Sequence, residues 1–231
     1  MAKYFNEYVE TIKRNLGEPT GFESEIYEDC IRQGIRIFSR YRPRIVVTDI
    51  SGVSGGTFDL TLPSTFIDGF SHIMSIEYPY ESTNQLPPLL KENQYKIYRS
   101  PSAVTLRFVG HKLTDTDTAR VTFTSTHSVD ISTTTVSLHH EDAVANISTS
   151  IMAEVVATEF ANVARSSLDN VAIDFKDKSL EWQIISDRYL LLFRKDLGIR
   201  DNDLEPVFAW TDLDGAYSFG PDYLTHPRSW R

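Results

Sequence analysis

The sequence predicts an α+β fold, and three observations carry that expectation. Apolar residues recur at helical spacing through the first 43 residues and again from residue 138 to residue 198. Between them, residues 44–137 are rich in β-branched and aromatic residues and are punctuated by clusters of turn formers. Apolar and polar positions alternate in VTLRFVG and ARVTFTST, as strands with one wet face require. The expected architecture is a helical body built from the N- and C-terminal thirds, with an inserted antiparallel β module (a sandwich or an open barrel). An extended C-terminal arm follows over residues 199–231.

Each element has its own justification. Phe5, Val9, Ile12 and Leu16 form one helical stripe, and Gly17 ends it. Thr20 and Glu23 stand at capping-box spacing before a second helix, whose stripe is Tyr27, Cys30, Ile31, Phe38 and Tyr41. Pro43 stops that helix, because the residue before a proline is pushed out of the helical region. Gly34 lies inside it at a cost of ~1 kcal/mol relative to alanine, which points to a close-packed neighbour. Six strand segments follow: RIVVTDI, TFDLTLP, FSHIMSIEYPY, QYKIYRS, AVTLRFVG and ARVTFTSTHS. The turn clusters SGVSGG, STNQLPP and TDTDT separate them, and SGVSGG is expected to close a hairpin. In the third helix Val144, Ile147, Ile151, Val155 and Val163 give a stripe. Alanines at 143, 145, 153, 157, 161 and 164 would let a neighbour approach closely. After the turn SSLDN, Trp182, Ile185, Tyr189 and Leu192 mark a last helix that ends at Gly198.

Composition narrows the function classes. A chain of 231 residues can bury a substantial core. The formal net charge of −9 argues against binding the outside of nucleic acid, where a basic surface supplies most of the affinity. Cys30 is the sole cysteine, so no intrachain disulfide or CxxC knuckle is expected, and a reducing place of synthesis fits. The N-terminus lacks the apolar core of a secretory signal, and no apolar run approaches the ~20 residues of a membrane span.

Candidate chemistry is sparse. LHHED at 138–142 gathers two histidines and two carboxylates, which are possible zinc ligands. His139 and His140 are adjacent, however, and on a helix they would diverge by about 100°. Glu141 and Asp142 are favoured at a helix start by the helix dipole, so a helix start is the expectation there. Cys30 reads as a small core residue, and SGVSGG lacks the lysine of a phosphate loop. His72, His127 and Glu77 fall in strand segments and read as structural. No catalytic residue, cofactor or metal is expected.

The C-terminal segment is distinctive. Six acids (Asp201, Asp203, Glu205, Asp212, Asp214 and Asp222) lie between 201 and 222 without a lysine or arginine. Phe208, Trp210, Tyr217 and Phe219 are interleaved, Tyr223 follows, and the end turns basic and aromatic with Arg228, Trp230 and Arg231. Aromatics gain nothing from water, so such a segment is expected to dock by its rings and be steered by its charge.

Together these features resemble a known family. The segments LTLPSTFIDGFSHIMSIEYPY, RVTFTSTHSV and AVANISTSIMAEVVATEFANVARSSLDN, in this order between helices, resemble the head-tail connector (adaptor, or neck) proteins of tailed bacteriophages. The resemblance covers roughly residues 20–197. It implies a structural virion protein: one subunit of a homo-oligomeric ring, commonly about twelve copies. Such a ring sits below the portal protein, extends the DNA channel and links the DNA-filled head to a further neck or tail protein. DNA would pass without sequence-specific binding, and no membrane is involved. The resemblance also implies that the arm clasps the portal, and places the protein in the virion neck after assembly in the host bacterial cytoplasm. The β module is larger than in the smallest, all-helical members. Three other readings remain at this point: a head-completion or stopper protein of the same particle, a ligand-binding β module with helical flanks, and a hydrolase using Asp and His from distant positions. The β module would need a pocket lined by tyrosines such as Tyr78, Tyr80, Tyr95 and Tyr98.

Overall fold

A computed structural model describes residues 3–17, 19, 22–52, 56–81, 88–99, 104–110, 112–166 and 170–199, with the side chains of 164–175 excepted. Four helices, α1 (Phe5–Leu16), α2 (Ser24–Tyr41), α3 (Glu141–Ser166) and α4 (Asn170–Asp196), flank six strands in the chain. The strands are β1 (Arg44–Ser51), β2 (Asp59–Thr61), β3 (Ile73–Glu77), β4 (Tyr95–Arg99), β5 (Val104–Phe108) and β6 (Thr118–Ser125). The fold is α+β, as the sequence predicts.

Residues from both ends of the chain close one helical core. Tyr8 and Ile12 of α1, Ile31 and Phe38 of α2, Val144 and Met152 of α3, and Phe193 of α4 are all buried together. α3 runs through its middle, and every residue from Ala143 to Ala153 except Asn146 is buried. This differs from the single stripe predicted. Small residues on every face let α1, α2 and α4 approach from several sides, and a helix buried all round loses its amphipathic pattern. Its hydroxyls are mostly bonded internally: Thr149 Oγ1 donates to Ala145 O at 2.8 Å, and Ser150 Oγ to Ser186 O at 2.9 Å.

Gly34 is the close approach the sequence implied. A Cβ there would sit 3.3 Å from Ser148 Cα and would collide with Ser148 Oγ, a buried hydroxyl with no hydrogen-bond partner among the described residues. Overpacking of this kind costs about 1–3 kcal/mol. Gly34→Val is therefore expected to lower the urea midpoint by an amount in that range, measured by circular dichroism; an unchanged midpoint would refute the contact.

The strands form two three-stranded antiparallel sheets, ordered β1-β6-β3 and β2-β5-β4. Their inner faces share a second core of Leu60, Ile76, Leu106, Phe108, Val121 and Phe123, so the module is a small sandwich. One expectation fails. The stretch SGVSGG does not close a hairpin, because β1 pairs with β6 and β2 pairs with β5, so the chain crosses between sheets there. Gly52 makes that crossing tight, since its N–H donates to Asp117 O at 3.0 Å beside the backbone of Leu113 and Thr114.

The second helix starts at Ser24 with Glu23 at its cap position, one turn later than the Thr20–Glu23 spacing suggested; Thr20 lies outside the described residues. α4 begins at Asn170, before its predicted stripe, and ends at Asp196, followed by Gly198 with φ of 69°. There the Ile199 N–H bonds back to Arg194 O at 2.9 Å, the C-terminal cap glycine favours. The centre of SSLDN, residues 167–169, is outside the described residues.

Candidate interaction surfaces

The arm residues Phe208, Trp210, Tyr217, Phe219, Tyr223, Arg228, Trp230 and Arg231 lie outside the described residues. The remaining sequence candidates do not form one site. Leu138–His140 make a short 3-10 turn that leads into α3 at Glu141, so LHHED is a helix start. Glu141 is buried and accepts the backbone N–H of Lys3 at 2.7 Å, which ties the N-terminus to this turn. Among the described residues, no group of three or more His, Cys, Asp or Glu could hold a metal. Cys30 is buried with its Sγ 3.8 Å from Met152 Sδ, and burial pushes the thiol up to about 11. It is a core residue. His72 pairs through its backbone with Thr124. The four tyrosines do not converge: Tyr78 packs against Phe108 and, with Tyr95, borders the sandwich core, while Tyr80 and Tyr98 lie on opposite sheets.

His127 stands at the junction of body and module. Its backbone N–H donates to Ser39 Oγ at 2.9 Å, its Nε2 lies 3.0 Å from Arg42 O, and its Nδ1 lies 2.9 Å from Thr135 O. Phe38 seats both this ring and that of His140, at centroid distances of 5.1 and 5.7 Å. Burial holds the His127 imidazole below its ordinary range. Its two carbonyl contacts pull the other way, while the charges of Arg44 and His140 add to the depression. His140 is lowered by burial, Arg42 and His139. Both imidazoles take up protons more readily in the unfolded chain. Their contribution to stability is complete above the ordinary histidine range near pH 6.5 and is lost as pH falls through the depressed folded values. Thermal melts from pH 8 to pH 5 should show this fall, and His127→Gln should flatten it. A melting temperature that rises on acidification would contradict the assignment.

Each sheet carries a matched polar cluster on its outer face. Asp49 lies directly across from Arg120, and the pair is bidentate at 2.6 and 2.8 Å, with Tyr80 stacked on the guanidinium at 3.7 Å. Asp59 and Arg107 repeat the arrangement at 2.6 and 2.7 Å under Tyr98 at 3.8 Å. The guanidinium hydrogen bonds hold both aspartates below the usual carboxylate range. These are cross-strand clamps that fix register on a wet face.

Two surfaces on the helical body are built for contact. On α4, Leu180, Ile184 and Leu191 are 49%, 68% and 55% exposed. Their spacing of four and seven residues sets them along one face, as in a coiled-coil seam, with exposed Asp187 and Arg188 between Ile184 and Leu191; exposed apolar side chains rimmed by charge in this way suit a contact with another chain. On α2, Arg32, Arg36 and Arg40 form an exposed ridge at four-residue spacing. Arg32 has Glu28 at 3.7 Å, whereas Arg36 and Arg40 have no carboxylate among the described residues. Neither surface stands among the sequence candidates. The ridge had a signal, since five arginines and no acid occur between Asp29 and Asp49. The α4 stripe had one too: apolar residues on both faces of a single helix.

Among the described residues, no helix is long and apolar enough to cross a membrane. In comparisons with known proteins, no protein-family model and no curated protein matches the chain.

Proposed function

We propose that the chain is a structural neck protein of a tailed bacteriophage: a head-tail connector (adaptor) subunit that assembles into a ring beneath the portal. The observation that carries this reading is the element order. Two helices enter a body, a sandwich is inserted, and two further helices return to the same core, which is the order on which the family resemblance rests. The exposed α4 stripe supplies an apolar face for a neighbouring copy, and in a ring that contact is heterologous, one face meeting a different one. The arm, with Trp210 and Trp230 as ring anchors and Arg228 and Arg231 as cations, holds the portal. The net charge of −9 keeps the assembled ring from gripping DNA phosphate along the channel, over the Debye length of ~8 Å. The protein works by positioning, with no catalytic step, cofactor or metal.

Imaging of purified chain with its portal tests the proposal. Rings are expected on the portal, alone or only in its presence. Leu180→Glu with Ile184→Glu should give a folded chain that forms none, because two buried charges would oppose association. A wild-type chain that stays monomeric in both conditions would end the connector reading.

A further inference from the structure

β1 is the outer strand of its sheet, and among the described residues no strand pairs with its far side. Nearby hydrogen bonds fix which of its backbone groups are left over. Gly52 N–H donates to Asp117 O at 3.0 Å and so continues the β1–β6 register. In an antiparallel ladder, residues that bond the partner alternate with residues that turn away from it. Arg44, Val46, Thr48 and Ile50 therefore bond β6, whereas Ile45, Val47, Asp49 and Ser51 turn their N–H and C=O to the open edge. β6 agrees. Its alternate residues bond the other way, Thr118 O accepting from Tyr80 N–H and Thr124 N–H donating to His72 O, each at 2.9 Å.

The other three edges are protected. β3 is covered by residues 88–90, where Leu90 N–H donates to Ile76 O at 2.8 Å and Tyr78 N–H to Pro88 O at 2.9 Å. β2 has only three residues, and β4 carries Lys96 and Arg99; short strands and edge cations both discourage pairing. β1 has eight residues in unbroken register, without lysine, proline or bulge. Val46 and Ile50 pack on the sandwich core, while Ile45 and Val47 stand outside, 59% and 54% exposed.

We propose that β1 pairs antiparallel with β1 of a second copy, across a two-fold axis at Val47, so that two three-stranded sheets become one of six. Hydrogen bonding, side chains and charge select that occupant. The N–H and C=O of Val47 meet the C=O and N–H of the second copy's Val47, and Ile45 and Asp49 exchange bonds in the same way. The two valines face each other with both Ile45 side chains diagonal to them. Centring the axis on Asp49 instead would set like charges directly opposite, which is destabilising. Arginines 40, 42 and 44 gather at the start of β1, and Asp115 and Asp117 lie at its far end, in the turn that leads into β6. Antiparallel pairing sets each basic end against an acidic one. Both strands are already ordered by their own sheets, so association has no segment to fold. Contacts within a cyclic ring are heterologous; this two-fold contact lies outside them and does not depend on the connector reading.

Sedimentation of the full chain over a concentration series tests the pairing. The mass should rise from 26.3 kDa toward twice that value as the millimolar range is approached. Over the same series, hydrogen exchange should slow at the amides of Ile45, Val47 and Asp49 and stay unchanged at Val46 and Thr48. Proline is accepted on an edge strand where the N–H faces outward, so Val47→Pro should stay folded and monomeric. Val47→Lys should do the same without touching the backbone. Val47→Cys should link into dimers on oxidation, because paired Cα atoms about 5.5 Å apart lie within disulfide reach. Ile45→Cys should not, since the two copies of that residue are four positions apart along the strand, about 13 Å; Cys30 is buried and does not compete. Leu180→Glu with Ile184→Glu, which should block rings, should leave this dimer intact. The proposal is overturned by a chain monomeric at every concentration, its edge left to another protein's strand. A dimer that survives in folded Val47→Pro and Val47→Lys, or cross-linking at residue 45 as readily as at 47, overturns it too.

Discussion

Deleting residues 201–231 should abolish attachment to DNA-filled heads while leaving the melting temperature of the remaining chain nearly unchanged. Among the described residues, the helical core closes on side chains up to Ile199 and the sandwich core is complete by Phe123. The deleted segment contributes six aromatics, Phe208, Trp210, Tyr217, Phe219, Tyr223 and Trp230. Burying one such ring on a partner contributes about 1.5–3 kcal/mol, and ordering each residue costs about 1–2 kcal/mol of backbone entropy. Six rings contribute about 9–18 kcal/mol against about 31–62 kcal/mol for ordering 31 residues, so the rings alone do not offset the ordering and a partner must supply a large further surface. Head-binding and thermal melting of the truncated protein check both halves. Full affinity for heads, or failure to fold, would refute the arm.

Phe38→Ala should be the most damaging single substitution in the described fold, lowering unfolding free energy by about 3–5 kcal/mol. Phe38 is fully buried in the helical core and carries the His127 and His140 rings at its edge. Its loss opens a cavity where body and module meet, so both histidines lose their seat. Whole domains are stable by only about 5–15 kcal/mol, and such a loss leaves little margin. Denaturant titration with a helix probe and a tryptophan probe measures it. A loss below about 1 kcal/mol would mean the site collapses freely, contrary to the packing described.

Much of the fold was legible because its residues obey one local rule at a time. β-branched runs such as RIVVTDI and ARVTFTST became β1 and β6, and the two are full-length register partners. Gly17 and Gly198 marked helix ends at positive φ, and Gly34 marked a helix crossing. Legibility failed where two rules competed. SGVSGG has hairpin composition, but pairing is decided by which strands share a face, and β1 found β6 some 70 residues away. α3 looked amphipathic because valine and isoleucine recur, although alanine and serine on its other faces are buried equally well. The α4 stripe was hidden behind a stronger one, since Trp182, Ile185 and Tyr189 pack inward on the same helix. The α2 ridge needed attention to missing acids, a pattern that periodicity does not report.

The insertion of the sandwich between α2 and α3 has a consequence for synthesis on the ribosome. α1 and α2 emerge first, yet Gly34 packs on Ser148 of α3 and Phe38 on the His127 and His140 rings, and about 100 residues of chain separate Tyr41 from Glu141. At about 5–20 residues per second, the first two helices wait roughly 5–20 s for their partners. The sandwich has no such delay, because all six of its strands are made within that interval. Arg44 and Ser125, its first and last paired residues, lie opposite each other. The inserted module can therefore close while the body is still half made, and in closing it brings the end of α2 and the start of α3 toward each other. A late domain by position in the chain thus becomes the early one in time, and it shortens the search by which the body finds its own halves.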